Sequence, residues 1–241
     1  MMEEKTMKRR MLCMAVVIVA MAVICTAAWA QYRPPVVLGL AGDAQIMKKG
    51  SAAWTPCIVG MAIAQDDSIK TGPEGSVTVG SALGRKNLVT IAPNSDAVVS
   101  AGDNIFAISL SKGEATVLVA TLPKDSVFEL RTPAAVTGAI GTGWSVWTDG
   151  QTTIARAHEN TIYVKGIKAD GTPMEENLYV DSGYQTTVKK YDAPVSVERL
   201  SPEAVAKWSE WREKVSKAFM EATQQQIDSA ALVAEEASQG Q

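Results

Sequence analysis

The feature of this sequence that most restricts its fold is a long series of short alternating runs over residues 36–197. Gly, Pro, Asn and Asp interrupt these runs about every ten residues, a spacing typical of consecutive strands joined by turns. Val77 and Val79 alternate with polar neighbours in one run, and Phe128 and Leu130 do so in another. The pattern therefore predicts a mainly β domain over residues 36–197, built of short strands as an antiparallel β-sandwich or β-roll.

A parallel α/β architecture does not fit this segment. Parallel strands need long crossover connections, which are usually helices, and no segment before residue 201 shows helical periodicity over the length of a normal helix. Residues 117–120 are apolar on both faces of the predicted strand, which is typical of a strand in the centre of a sheet.

The C-terminal segment changes to a helical period. Ser201 is suited to cap a helix and Pro202 to occupy its first position, where a missing N–H is tolerated. Apolar side chains then recur three and four residues apart, which predicts a C-terminal α-helix over residues 201–237. Beyond residue 224 the sequence is rich in Ala, Gln and Glu, and we expect it to project or fray. The apolar stripe has two interpretations: it docks on the β domain, or it forms a seam with a partner or a second copy.

The first thirty residues have the pattern of an export signal. Basic residues precede an apolar run over residues 11–25, and Ala28 and Ala30 form a small-x-small cleavage pattern. We therefore predict a signal peptide over residues 1–30. The alternative is an uncleaved N-terminal membrane anchor, because about 20 apolar residues can cross a bilayer. Both place the bulk of the chain outside the cytoplasm, either periplasmic or secreted, or anchored in the inner membrane.

Charge and cysteine content exclude further classes. The chain has 23 Lys and Arg against 26 Asp and Glu, a net charge of −3 that cleavage would change to −5. This balance argues against a dedicated nucleic-acid-binding protein. Of the 3 cysteines only Cys57 would survive cleavage, so no internal disulfide is expected. A lone thiol of this kind is typically a small buried hydrophobic residue.

The sequence predicts neither an enzyme nor a cofactor-dependent protein. His158 is the only histidine, no cysteine pair accompanies it at zinc-ligand spacing, and no G-x-S-x-G motif is present. The acidic pairs Asp66-Asp67 and Glu175-Glu176 fall in turn-like stretches and are predicted to be solvated turn residues. A hydrolase acting on a glycan would need His158 or one of these pairs.

Four tryptophans are the candidate contact residues. Trp144 and Trp147 lie three apart in a predicted strand and therefore point to opposite faces, one into the core and one partly exposed. Trp208 and Trp211 lie on the predicted helix. A partly exposed Trp on a sheet can bind a sugar or a peptide, while packing at a sheet edge is the alternative.

Five short motifs occur in order along the β segment. They are residues 60–72 (GMAIAQDDSIKTG), 108–115 (ISLSKGEA), 128–136 (FELRTPAAV), 141–146 (GTGWSV) and 180–185 (VDSGYQ). In this order they resemble the FecR domain, a family named after a periplasmic regulator of ferric citrate uptake. The resemblance extends over about 150 residues, from Gly39 to Thr187, and the pairing of TP with a following GT is its most specific part.

Two local departures from the family pattern, at Ala139-Ile140 and Glu159-Asn160, affect the expected loop geometry. Only the first ten residues precede Met11, so the resemblance implies an exported FecR-type protein without the cytoplasmic anti-sigma segment of the regulators. Its expected role is a non-enzymatic sensory or binding module at the cell envelope, with an envelope protein or an unknown ligand as partner. The alternative is a structural envelope or matrix protein that self-associates through the C-terminal helix. Membrane contact is expected only if the N-terminal segment is retained.

Overall fold

The structure is a computed structural model that describes residues 34–81, 87–102, 104–139 and 141–218. All of them belong to the compact unit Pro34–Gln241. The predicted signal peptide or anchor over residues 1–30 lies outside the described residues, as does the predicted helix from residue 219 to residue 237.

The described residues form sixteen strands followed by one helix, in agreement with the predicted mainly β fold. The strands are β1 (Val36–Ala41), β2 (Ala44–Met47), β3 (Thr55–Pro56), β4 (Asp67–Thr71), β5 (Ser76–Gly80), β6 (Leu88–Ile91), β7 (Asp96–Ala101), β8 (Ile105–Val119), β9 (Val127–Arg131), β10 (Ala135–Gly138), β11 (Thr142–Thr148), β12 (Thr152–Glu159), β13 (Thr161–Gly166), β14 (Leu178–Asp181), β15 (Tyr184–Lys189) and β16 (Glu198–Arg199). The helix, α1, comprises residues 202–218.

Strand β8 is long and is shared by two sheets. Its second half, from Gly113, pairs with β6 and β11 in sheet I, whose order is β1-β5-β6-β8-β11-β12-β15-β16. Its first half pairs with β7 and β9 in sheet II, whose order is β3-β2-β4-β7-β8-β9-β10-β13-β14. Gly113 has φ +99°, and a Cβ there would lie 2.6 Å from Cα of Ser95. Gly113, which belongs to the motif over residues 108–115, therefore allows β8 to pass from one sheet to the other.

Pairing is antiparallel except between β8 and β9, the one parallel pair among the described strands. The second half of β8 runs into sheet I, and residues 120–126 then return the chain to the start of β8. Strand β9 consequently enters sheet II in the same direction as β8. The connection contains no helix, in agreement with the exclusion of a parallel α/β fold.

The hydrophobic core lies where the inner faces of the two sheets meet. Phe106 and Phe128 of sheet II pack with ring centroids 4.9 Å apart, and Phe128 meets Trp144 of sheet I edge to face at 5.9 Å. Trp144 is fully buried, and its indole N–H donates to the Thr137 hydroxyl at 3.1 Å. Val117 is also fully buried between β6 and β11, which confirms the predicted central strand.

The prediction that Asp66 and Asp67 are both solvated turn residues is wrong for Asp67, whose exposure is 1%. Its carboxylate accepts hydrogen bonds from Lys48 Nζ at 2.7 Å and from the backbone N–H groups of Ala64 and Lys49 at 2.8 and 3.0 Å. Burial tends to raise the pKa of Asp67, but these hydrogen bonds outweigh it and hold the pKa below its usual value. Asp67 is therefore a structural carboxylate that ties the β2 end to the turn before β4.

The C-terminal helix starts as predicted. The Ser201 hydroxyl accepts a hydrogen bond from the backbone N–H of Ala204 at 3.2 Å, the geometry of an N-cap. Asn160, at the position where the family usually has a glycine, adopts φ +50° in the turn between β12 and β13. Asn tolerates this left-handed region better than most residues, so the departure leaves the turn intact.

Candidate functional site

Helix α1 packs on the outer face of sheet I. Alternation along β11 directs Gly143, Ser145 and Trp147 to the side opposite the core residue Trp144. The Trp208 ring lies directly over Gly143, where an added Cβ would be 2.2 Å from the ring. Trp208 is 9% exposed, so the structure favours the docking interpretation for this part of the apolar stripe.

Three contacts hold the helix in this place. The Trp208 indole stacks on the His158 imidazole with ring centroids 4.5 Å apart. Lys207 Nζ lies 2.5 Å from a Glu114 carboxylate oxygen, and Arg212 Nε lies 3.1 Å from Glu159. The contacts join α1 to the end of β12 and to the middle of β8.

A cleft of about 330 Å³ remains between α1 and the sheet. Strands β5, β6, β8, β11 and β12 form its floor, and the first three turns of α1 form a wall. Trp147, Trp208 and Trp211 all line it. The volume is at the lower end of the range of roughly 300–1,000 Å³ found for small-molecule pockets.

A row of polar side chains crosses the floor. Thr90, Thr116, Ser145 and Arg156 are direct cross-strand partners on β6, β8, β11 and β12. Neighbouring members are therefore spaced by about 4.8 Å, the distance between strands. The Thr90 hydroxyl is hydrogen-bonded to the Thr78 hydroxyl at 2.9 Å, whereas the Thr116 hydroxyl has no hydrogen-bond partner among the described residues.

Charge in the cleft is balanced. Glu114, with 16% of its side chain exposed, lies between Lys207 and Arg156, and Nη1 of Arg156 is 3.9 Å from Oε1 of Glu114. Arg156 also donates through Nε to Gln185 at 3.2 Å. With Glu203 on the helix side, the lining has two acidic and two basic side chains.

His158 contributes no charge near neutral pH. Burial, followed by the neighbouring Arg156 guanidinium, lowers the pKa of His158 to about 4. Its Nε2 is 2.9 Å from the Ser145 hydroxyl, and its ring face is covered by Trp208. In the described part of the chain no carboxylate is hydrogen-bonded to the imidazole.

Trp211 carries an unsatisfied polar group. Its indole Nε1–H is buried and has no acceptor among the described residues. The ring itself is half-buried and packs on Trp208 at 4.9 Å between centroids. A buried donor of this kind costs free energy unless water or a ligand supplies an acceptor.

Two kinds of feature are absent from the described residues. Within residues 34–81, 87–102, 104–139 and 141–218, no three His, Cys, Asp or Glu side chains are grouped so as to hold a metal ion. In the same residues no helix has the length and hydropathy needed to cross a bilayer.

The comparison with protein families identifies the β segment. Residues 67–163 match the family model of the FecR protein. The chain contains a FecR-type region. The match confirms the resemblance predicted from the ordered motifs, and it runs from β4 into β13. No curated protein is significantly similar to the chain.

Two solved structures also resemble it, both of a candidate anti-sigma factor from Parabacteroides distasonis ATCC 8503, at 2.50 and 1.65 Å resolution. Their identity to this chain is 14%, and the TM-scores are 0.46 and 0.47. Each alignment covers 58% of this chain and 63% of the other, so the chain spans less than two thirds of that protein's length.

The FecR-type region supplies most of the cleft floor, and α1, which lies outside the matched residues, supplies the wall. Of the four predicted contact residues, Trp147, Trp208 and Trp211 meet at this cleft. Trp144 does not, because it is fully buried in the core, and the predicted contact role does not extend to it.

Sequence reasoning missed the polar floor. Alternation along β11 and β12 places Ser145 with Trp147, and Arg156 with His158, on one face of each strand. This alternation could have been recognised in the sequence. It did not show that the face with Ser145 and the face with Arg156 lie on the same side of sheet I. For Thr116 and Glu114 the sequence indicated only that they lie in a strand, and nothing in it predicted a place in a binding site.

Proposed function

We propose that this protein is a non-enzymatic, exported FecR-type sensory module that binds its ligand or protein partner in the cleft between α1 and sheet I. One observation supports this most directly. The cleft unites Trp147 and Trp211 with an open polar floor, although these side chains come from distant parts of the chain. Aromatic walls with a few convergent polar groups are the usual composition of a binding site.

A binding role suits the chemistry of the cleft better than catalysis. The pair Ser145 and His158 has the distance of a nucleophile and its base. However, the pKa of His158 is lowered to about 4, and a useful general base has a pKa near the working pH. The third member of a triad accepts a hydrogen bond from the second imidazole nitrogen, and no carboxylate of the described residues is hydrogen-bonded to the His158 ring.

Export rests on the N-terminal sequence. The basic start, the apolar run and the Ala28-x-Ala30 pattern support cleavage and a periplasmic or secreted product. Retention of the segment would instead give an inner-membrane protein with its bulk outside the cytoplasm. Sequencing the N-terminus of the exported protein distinguishes the two, since cleavage predicts a start at Gln31.

The structural alternative, self-association through the C-terminal helix, has less support. Its seam would use the apolar stripe, but Trp208 of that stripe is covered by the chain's own sheet. Val205 of the same stripe is 47% exposed and remains accessible to a partner. Light scattering that gives a concentration-independent monomer mass would exclude this alternative.

Site-specific photocrosslinking in the cell of origin tests the binding role. A photoreactive amino acid replaces Trp147 in the cleft in one strain. In the control strain it replaces Tyr179 on β14 of sheet II, which is 64% exposed. We expect a discrete adduct of defined mass from position 147 alone. Equal adducts at both positions, or none at position 147, would contradict a binding cleft.

A further inference from the structure

We infer that the cleft between α1 and sheet I binds a neutral saccharide unit. The inference rests on the proposed function, because it names the ligand class of the same cleft. It depends on four properties of the lining: its aromatic walls, its hydroxyl floor, its balanced charge and its position on a sheet face.

The aromatic walls suit a ring that has apolar faces. Trp147 on β11 and Trp211 on α1 are both half-buried at the cleft, so part of each ring remains open to a ligand. Trp208 lies between His158 and Trp211 and is covered, so its role is to position Trp211. A pyranose ring presents C–H groups on its faces, and these pack on the electron-rich face of an indole.

The floor suits a ligand with many hydroxyl groups. The Thr116 hydroxyl, without a partner in the described residues, can both donate and accept a hydrogen bond. Trp211 Nε1–H is a buried donor that needs an acceptor oxygen. Glu114, two residues before Thr116 on β8, and Arg156 on β12 complete the set with an acceptor and a donor. Saccharide hydroxyls match such a mixed set because each can serve in either role.

The balance of charge favours a neutral ligand. Glu114 lies within 2.5 Å of Lys207 and 3.9 Å of Arg156, so the two cations already face an anion. His158 is neutral near pH 7. Because these opposite charges already face one another, a charged sugar finds no unpaired counter-charge among them. It would have to give up hydration of its charge on entry, which a neutral sugar does not.

The position of the cleft disfavours an extended peptide. Peptides that bind sheets usually add a strand at an exposed edge, where main-chain groups are free. Here β6, β8, β11 and β12 each pair on both sides, so the floor offers side chains only. A saccharide forms hydrogen bonds through its own hydroxyl groups, so it does not need free main-chain groups at such a surface.

Nuclear magnetic resonance of the indole N–H groups gives a direct test. The full-length chain is expressed with ¹⁵N-tryptophan, and the protein is purified in the form that the cell leaves, cleaved or not. The probes are glucose, galactose, mannose and N-acetylglucosamine, each as the monosaccharide and as a trisaccharide, with glucuronate and glucosamine as charged probes. We expect at least one neutral probe to shift the Trp211 signal saturably, and the charged probes to bind more weakly.

Three variants and one control locate the binding. Trp211→Phe keeps an aromatic ring but removes the N–H, and Thr116→Val removes the hydroxyl at nearly constant shape. Each should weaken binding roughly threefold to tenfold, the value of one hydrogen bond, and the affinity of Trp211→Phe is read from the Trp147 signal. Trp147→Ala should weaken it roughly tenfold or more, as loss of an aromatic anchor does. Tyr179→Ala on sheet II should leave it unchanged.

The outcomes separate this inference from the proposed function. No saturable shift with any neutral probe, unchanged affinity in the three variants, or preference for a charged probe would each overturn saccharide binding. A discrete protein adduct at position 147 without saccharide binding would overturn the inference and leave the proposed function standing. Absence of both would overturn both. An unchanged thermal unfolding midpoint shows for each variant that a loss of binding is not a loss of fold.

Discussion

The Trp208 indole stacks on the His158 imidazole with the ring planes only 3° apart and the centroids separated by 4.5 Å. The contact joins the C-terminal helix to β12 of the FecR-type region, across the boundary of the family match. It also places the imidazole in a desolvated position beside Arg156, so the docked helix favours the uncharged form of His158.

Stability should therefore depend on pH through His158. The pKa of His158 is about 4 in the folded protein and about 6.5 when unfolded, so the unfolded state binds more protons between these values. The stabilising contribution is complete above about pH 6.5 and is lost as the pH falls toward 4. Urea unfolding at pH 7.5 and 4.5 should show a smaller loss of stability in His158→Gln than in the natural protein.

Comparing His158→Gln with the natural protein removes the contribution of the other ionisable groups near the helix. Glu114, Glu159 and Glu203 lie near the helix contact and are present in both proteins, so only the difference between the two proteins reports His158. An identical pH dependence with and without the imidazole would contradict the assignment.

Gly143→Ala should release the helix. The new Cβ would lie 2.2 Å from Trp208, and such overpacking typically costs about 1–3 kcal/mol. We expect red-shifted tryptophan emission and faster tryptic cleavage at Lys207 and Arg212. Gly102→Ala is the control, because a Cβ there meets no atom within 4 Å.

A double variant confirms the cause. Leucine at position 208 lacks the two ring atoms that a new Cβ at position 143 would touch, so Gly143→Ala should cost much less in a Trp208→Leu background. A cost that is the same in both backgrounds would show that strand β11, and not the helix contact, is the source of the loss.

Asp67→Asn should destabilise the β domain by about 2–4 kcal/mol, since a buried carboxylate with three donors is replaced by an amide that cannot accept from all of them. Asp66→Asn is the matched control and should change stability by less than about 0.5 kcal/mol, because Asp66 is part-exposed and Asn tolerates its φ of +65°. Urea unfolding at neutral pH measures both. Equal effects of the two substitutions would contradict the structural role of Asp67.

The Cys57 thiol should be inert in the folded protein. It is 3% exposed, and burial raises the pKa of the thiol, with only partial compensation from Lys48. Labelling with a thiol reagent should proceed at the rate of unfolding and rise sharply in denaturant. Cys57→Ala supplies the background from any remaining Cys13 and Cys25, and rapid labelling of Cys57 under native conditions would contradict this prediction.

The fold was readable from local patterns because strand alternation and turn residues act over a few positions. The period near Val77 and Phe128 predicted strands, and Ser201-Pro202 predicted the helix start. The burial of Asp67 was not readable, because its partners Lys48 and Lys49 come from another strand end. The parallel pairing of β8 with β9 likewise depends on the route of a connection, which has no local signature.

The sequence by itself determined that the chain is mainly β, that a helix begins at Pro202, and that four of its tryptophans occur in two pairs. Only the tertiary structure decided that Trp147, Trp208 and Trp211 meet over Thr116 while Trp144 is buried. The reason is physical. Periodicity fixes which side chains share a face of one element, but the docking of α1 on sheet I depends on contacts between residues such as Glu114 and Lys207, 93 positions apart.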